Sequence, residues 1–330
     1  MATSAIQTQD QKLKSLGLTK TIVNDAQVCT YSRNLGSVSE KNPVLVLIHG
    51  YPESSYMWRH LIPLLPQNAP IFVPDLPGYG TSGPIAKNDK LAVGQTILSA
   101  LQTQVKRSSS GSSTSAIPVI LIGHDRGARV AHRLAVSGHS GINVLGITLI
   151  DIVPTITQWK ASQKAAEVVT YFHWPFLAKV EQAKKMILAY GGDRWCEDMI
   201  FSWAGKNDAG LKSLKADGAV EVYKSFFKEE SIVEASNKDY EAGATVDIDQ
   251  QVEDQEKGRK IGCPLLLIYS EGYLGGRYDV PAEWADWVSE GVEIKTKALG
   301  NGIGHFGAEE APKESAQAIV GWLKELGLEG

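Results

Sequence analysis

The chain has 330 residues, 43% hydrophobic and 21% charged, with a formal net charge of −4. This is ordinary globular composition, long enough to bury a large core and carry an inserted lobe. The charge gives no reason to expect nucleic acid or an anionic membrane as partner, and no run approaches the roughly 18 apolar residues of a membrane span.

The opening "MATSAIQTQDQKLKSLGL" is polar and has no apolar signal core, so a cytoplasmic location is expected. Next, "TKTIVNDAQVCTYSR" (19–33) reads as a hairpin. "VLVLIHG" (44–50) is continuously apolar until its last two residues, as a strand buried on both faces should be. "IFVPD" (71–75), "VILIGHD" (119–125), "GITLIDIV" (146–153), "LLLIYSEG" (265–272) and "VEIKTKAL" (292–299) repeat the theme. Helices are expected at 91–106, 127–137, 281–289 and 312–326, and "SSSGSSTS" (108–115) reads as a surface connection. Strands alternating with helices predict an α/β fold with a mostly parallel sheet flanked by helices. From about 155 to 260 the strand rhythm stops and aromatic, helix-forming sequence takes over. We read residues 1–154 and 261–330 as one core, and 155–260 as an inserted helical cap, with a ligand crevice between cap and strand ends. Cys29, Cys196 and Cys263 are odd in number and widely spaced, which suggests neither a disulfide framework nor a zinc site.

The chemistry centres on "GHDRG" (123–127), where a strand meets a helix. Glycines on both sides of Asp125 suit a tight turn that lifts its side chain out at a helix N-terminus, where an anion is favoured. Taken alone the pattern is weak, because Asp is a common helix N-cap. Three further stretches strengthen it. In "HGYPESSYMW" (49–58) the backbone N–H of Tyr51 can face this turn and, with that of Arg126, form an oxyanion hole. "GNGIGHFGAEE" (300–310) places His305 in a glycine-rich loop after the last strand, as a general base. "LIDIVPT" (149–155) puts Asp151 at a strand end, able to orient His305, although Glu271 and Asp279 in "EGYLGGRYDVPAEW" (271–284) also follow a late strand.

A carboxylate attacks amides poorly but can displace a leaving group from saturated carbon, forming an ester that base-activated water then cleaves. Carbon–halogen and epoxide bonds are the natural targets. Arg126 and Arg129, three apart on one helix face, suit a carboxylate, unless they merely neutralise nearby aspartates. His124, His132 and Arg133 are read as structural. His173 and Trp174 in "YFHWPF" (171–176), with Tyr240, offer donors for a leaving halide.

These pieces, together with "PDLPGYGTS", "FSWAG" and "DYEAGATVD", run from about 45 to 306, and in them the chain resembles the fluoroacetate (haloacetate) dehalogenases of the α/β-hydrolase superfamily. The resemblance implies the α/β-hydrolase fold and a hydrolase without metal or cofactor that acts on short 2-haloacids. Asp125 would be nucleophile, Asp151 the triad acid and His305 the base. Arg126 and Arg129 would bind the substrate carboxylate, His173, Trp174 and Tyr240 the halide, and Trp203 would line the pocket. The alternative is a related epoxide hydrolase, which would use two cap tyrosines with Tyr171, Tyr190, Tyr223 and Tyr240 as candidates, or a related ester or lactone hydrolase of the same fold. The serine-rich connection, the N-terminal lead and residues 271–284 depart from the usual pattern, so a bulkier carboxylate stays open, as does a homodimer.

Overall fold

The computed structural model describes residues 2–108 and 116–328, so the expected serine-rich connection lies, from 109 onward, outside the described residues. Eight strands form one sheet: β1 (Thr19–Val23), β2 (Val28–Arg33), β3 (Val44–Ile48), β4 (Ile71–Pro74), β5 (Ile117–His124), β6 (Ile142–Ile150), β7 (Leu265–Ser270) and β8 (Ile294–Leu299). Their order is β1-β2-β4-β3-β5-β6-β7-β8. The β1/β2 and β2/β4 pairs are antiparallel and every other pair is parallel.

The middle of the sheet is where the sequence is most apolar. Every residue of β3 is buried, because helices cover both faces and no position of the strand has a solvent side. The helices Lys90–Ser108 and Arg126–Ser137 pack together and leave Ile97, Leu98, Leu101, Val130 and Leu134 with no solvent exposure or almost none. Truncating one of these leucines to alanine leaves a cavity, at a cost of about 2–5 kcal/mol.

The hairpin and the strand run agree with the sequence reading, with small boundary differences. β6 begins earlier than expected, and the helix expected at 281–289 is the shorter Val280–Ala285. The polar N-terminal stretch is a helix, Ala2–Ser15. Its Leu13 is fully buried, and its Gln9 bonds to Tyr31, Asp75 and Ser54. Between β6 and β7 the chain makes only helices, from Thr155–Ala161 to Val246–Glu256. Among the described residues no helix is long and apolar enough to cross a membrane, and the three cysteines are free and buried.

Parallel register places the carboxyl ends of β3, β5, β6 and β7 side by side, with Ile48 opposite Gly123, His124 opposite Ile150 and Ile150 opposite Ile268. The segments carrying Tyr51, Asp125 and Asp151 leave the sheet from these ends, and His305 follows the end of β8.

Candidate active site

Asp125 sits between β5 and the helix Arg126–Ser137 with φ 45° and ψ −114°, a conformation L-residues avoid. Two glycines make the turn possible by close approach. A Cβ on Gly123 would lie 2.4 Å from the Gly127 carbonyl oxygen, and one on Gly127 would lie 2.2 Å from that of Ile48. The Asp125 side chain makes no capping bond to its helix; instead its Oδ2 accepts from the backbone N–H of Tyr51 at 3.1 Å. An ordinary N-cap would do the opposite. Burial opposes charge on this carboxyl, but His305, Arg126, His124 and Arg129 outweigh it and hold the pKa below the usual aspartate range.

His305 Nδ1 lies 2.6 Å from Asp151 Oδ2. The other Asp151 oxygen accepts from the backbone N–H and hydroxyl of Ser270, at 2.8 and 2.7 Å. That arrangement leaves Nε2 of His305 for the pocket. Asp279 instead caps the helix Val280–Ala285, and Glu271 is exposed; neither contacts His305. His124 binds Glu53 and the His305 carbonyl, His132 lies edge-on to Trp284 and Trp287, and Arg133 pairs with Asp254.

The cavity at the strand ends is about 20 Å3, room for about one water. Asp125, Asp151 and His305 line it from the core, and His173, Trp174, Trp203 and Tyr240 from the helical insertion. Burial pushes His173 down to about 3, so its ring is neutral, and its Nδ1 has no partner. Of the four tyrosines considered from the sequence, Tyr171 and Tyr240 reach the cavity. Tyr190 is exposed and bonded to Asp198, and Tyr223 is bonded to Glu309, so neither can serve there.

The two arginines are not equivalent. Arg126 is clasped by Asp239: Nε to Oδ2 at 2.7 Å, and Nη2 to the backbone oxygen at 2.8 Å. Only its Nη1 lacks a partner. The neutralising role weighed for one of the pair therefore describes most of this side chain, because the charge of Asp239 holds it. Arg129 is fully buried and has no carboxylate bonded to it. Nη1 reaches the Val153 carbonyl and the Thr155 hydroxyl, Nε has no partner, and the guanidinium stacks 4.7 Å over Trp174. Burial and the neighbouring Arg126 push its pKa down to about 10, as expected of a cation short of an anion.

Several lining residues were not singled out from the sequence: Ile152, Gln158, Tyr273 and Leu274. The last two come from the 271–284 segment, which therefore contributes to the cavity wall. Gln158 had no signal, being one polar residue in a short helix.

Residues 43–171 match the family model of the alpha/beta hydrolase fold. The chain is 25% identical over 290 residues to a fluoroacetate dehalogenase from Burkholderia, covering 87% of this chain and 89% of that one. Over 111 residues it is 34% identical to a soluble epoxide hydrolase from Corynebacterium, covering 33% and 35% of the two chains. A solved alpha/beta hydrolase structure from Nostoc is 28% identical with a TM-score of 0.77, covering 93% of this chain and 98% of that one.

Proposed function

Starting from the alpha/beta hydrolase fold of this chain, we propose that it cleaves the carbon–halogen bond of short 2-halocarboxylates such as fluoroacetate or chloroacetate. One observation carries the reading: Arg129 is a buried cation with no carboxylate partner and an unsatisfied Nε, in the wall that Asp125 shares. A buried guanidinium in that state favours an anionic guest. The small cavity weighs against a bulky acid.

In this mechanism Arg129, helped by Nη1 of Arg126, holds the substrate carboxylate and aims C2 at Asp125. An Asp125 oxygen displaces halide, which leaves with the bonding pair among the N–H and O–H donors of His173, Trp174 and Tyr240. The product is an ester on Asp125. His305 then takes a proton from water, which attacks the ester carbonyl, and the backbone N–H groups of Tyr51 and Arg126 stabilise the oxyanion. Collapse restores Asp125 and releases the 2-hydroxy acid. His305 passes its proton to solvent, and Asp151 stabilises the transient imidazolium. Tyr51 already donates to Asp125 in the free protein, which supports its place in this hole.

A second reading, epoxide hydrolysis, is favoured by Tyr171 and Tyr240 both lining the cavity. Burial raises both pKa values, which would keep them protonated as donors to an opening ring. It gives Arg129 no partner. Halide release from fluoro-, chloro- and bromoacetate separates the two. One halide per acid consumed is expected, and no release from folded protein, with turnover of an epoxide, transfers the assignment to the second reading.

A further inference from the structure

Glu53 and Glu309 are both buried, with 0% side-chain exposure, and neither lines the cavity. They lie within hydrogen-bond reach of each other. Of their four oxygens, two have partners and two have none. Glu309 Oε1 accepts from Arg59 and from the Tyr223 hydroxyl, the latter at 2.9 Å. Glu53 Oε2 lies 2.9 Å from Nδ1 of His124. The remaining oxygens, Glu53 Oε1 and Glu309 Oε2, have no partner.

Two carboxylates cannot face each other as acceptors without water between them, because each orphaned oxygen costs about 1–3 kcal/mol and the charges repel. A single proton between them satisfies both oxygens. The pair is wired to the reaction. His124 Nε2 lies 3.0 Å from the backbone oxygen of His305 and Nδ1 2.9 Å from Glu53 Oε2; both oxygens accept, so each ring nitrogen donates. The two imidazole rings lie tilted at 49° to each other, with centroids 4.6 Å apart.

We propose that Glu53 and Glu309 share one proton and act as a positioning pair, fixing His124 and through it the loop that carries His305. The proposal rests on reading His305 as the base. It goes beyond that reading by assigning a role to two residues that touch no substrate.

The surroundings support a proton retained near neutrality. Burial raises both carboxyls; Glu53 raises Glu309 further, while the contact with Glu309 lowers Glu53 without cancelling its burial. Arg59, His305 and Asp125 act on Glu53 besides its two bonded neighbours, and the Cys196 thiol lies close by. Glu309 faces Arg59 and Tyr223, with Tyr56 and His60 beyond. In the unfolded chain glutamates ionise near the ordinary value of about 4.3. The native pair keeps one more proton than the unfolded chain above that pH. Stability from this source therefore falls as pH climbs from about 4.3 through neutrality, and levels off once the native pair has lost its proton.

Melting curves from pH 5 to 9 test this without substrate, so failure of the pair is distinguishable from failure of the dehalogenase reading. Glu309→Gln and Glu53→Gln each replace the shared proton with an amide N–H. The melting temperature should fall with pH in the unaltered protein and flatten in either variant. With a substrate that is turned over, kcat should fall on the alkaline side and that fall should flatten in the same variants. Glu53→Leu, which strands His124 Nδ1, should lower kcat about tenfold or more with little change in KM. An unchanged pH profile in a folded Gln variant overturns the proposal. If neither variant folds, the unaltered protein still decides: no infrared carbonyl band of a protonated buried carboxyl at pH 7 overturns it.

Discussion

The two walls of the cavity are built in opposite ways. On the core side each reacting group is already committed: Asp125 to the Tyr51 N–H, Asp151 to Ser270, His305 to Asp151. On the side of the helical insertion the rings hold one another in tilted and edge-on contacts, as in His173 with Trp203 at 4.5 Å and with Tyr240 at 5.7 Å. Polar atoms there are uncommitted, with His173 Nδ1 left unpartnered. A wall that performs covalent steps needs fixed angles, whereas a wall that receives a leaving group needs donors that are free beforehand. Under the proposed function, the contrast assigns the covalent steps to the strand ends and the reception of the leaving group to the insertion.

The strongest blow to that division would come from the core. Asp125→Asn should cut halide release by about 10^4-fold with the fold intact by circular dichroism, whereas His305→Gln should fail only in the second step. In the latter, one halide per protein should appear, and the peptide bearing Asp125 should gain the mass of a carboxymethyl group. Sustained turnover in Asp125→Asn, or a silent first step in His305→Gln, would mean that water attacks directly and that the core wall is not the seat of covalent chemistry.

A smaller effect is expected where the walls meet. Arg129→Met keeps the apolar stem over Trp174 but removes the guanidinium, and should raise KM for a haloacetate about 100-fold while changing kcat less. In the unaltered protein, affinity should hold level across neutrality and weaken as pH rises toward the depressed value of about 10 at which Arg129 loses its charge. Equal KM values in variant and parent would remove the carboxylate from the proposal.

How far these features could be read from the sequence depends on how local their cause is. β3 and β5 were legible because burial on both faces leaves no polar position, and the turn at Asp125 because Gly123 and Gly127 are required within five residues of chain. The N-terminal helix was not, since its packing relies on Gln9 and a few scattered apolar residues rather than an apolar stripe. Nor was the different fate of the two arginines. Arg126 and Arg129 look alike on a helical wheel, and what separates them is Asp239, 113 residues away from Arg126. Tyr273 and Leu274 enter the pocket from a loop whose path no periodicity encodes.

That same Asp239 offers the mildest test, at the seam between the two walls. It binds Arg126 from the core and Lys90 from the helix Lys90–Ser108, and accepts from the Tyr79 hydroxyl. Burial opposes its charge, but Arg126 and Lys90 overcome this and hold its pKa at about 2. A carboxyl depressed in the native state stabilises it fully above the unfolded value of about 3.9, and that contribution, about 2 kcal/mol, is lost as pH falls toward 2. Denaturant titrations at pH 7, 4 and 2 should show this acid loss in the unaltered protein and not in Asp239→Asn, which should be less stable at pH 7. If the variant instead keeps the full acid sensitivity, the seam is held by packing alone. Arg126 would then owe its pose to the ring of Tyr240, 4.2 Å from its guanidinium, rather than to the ion pair.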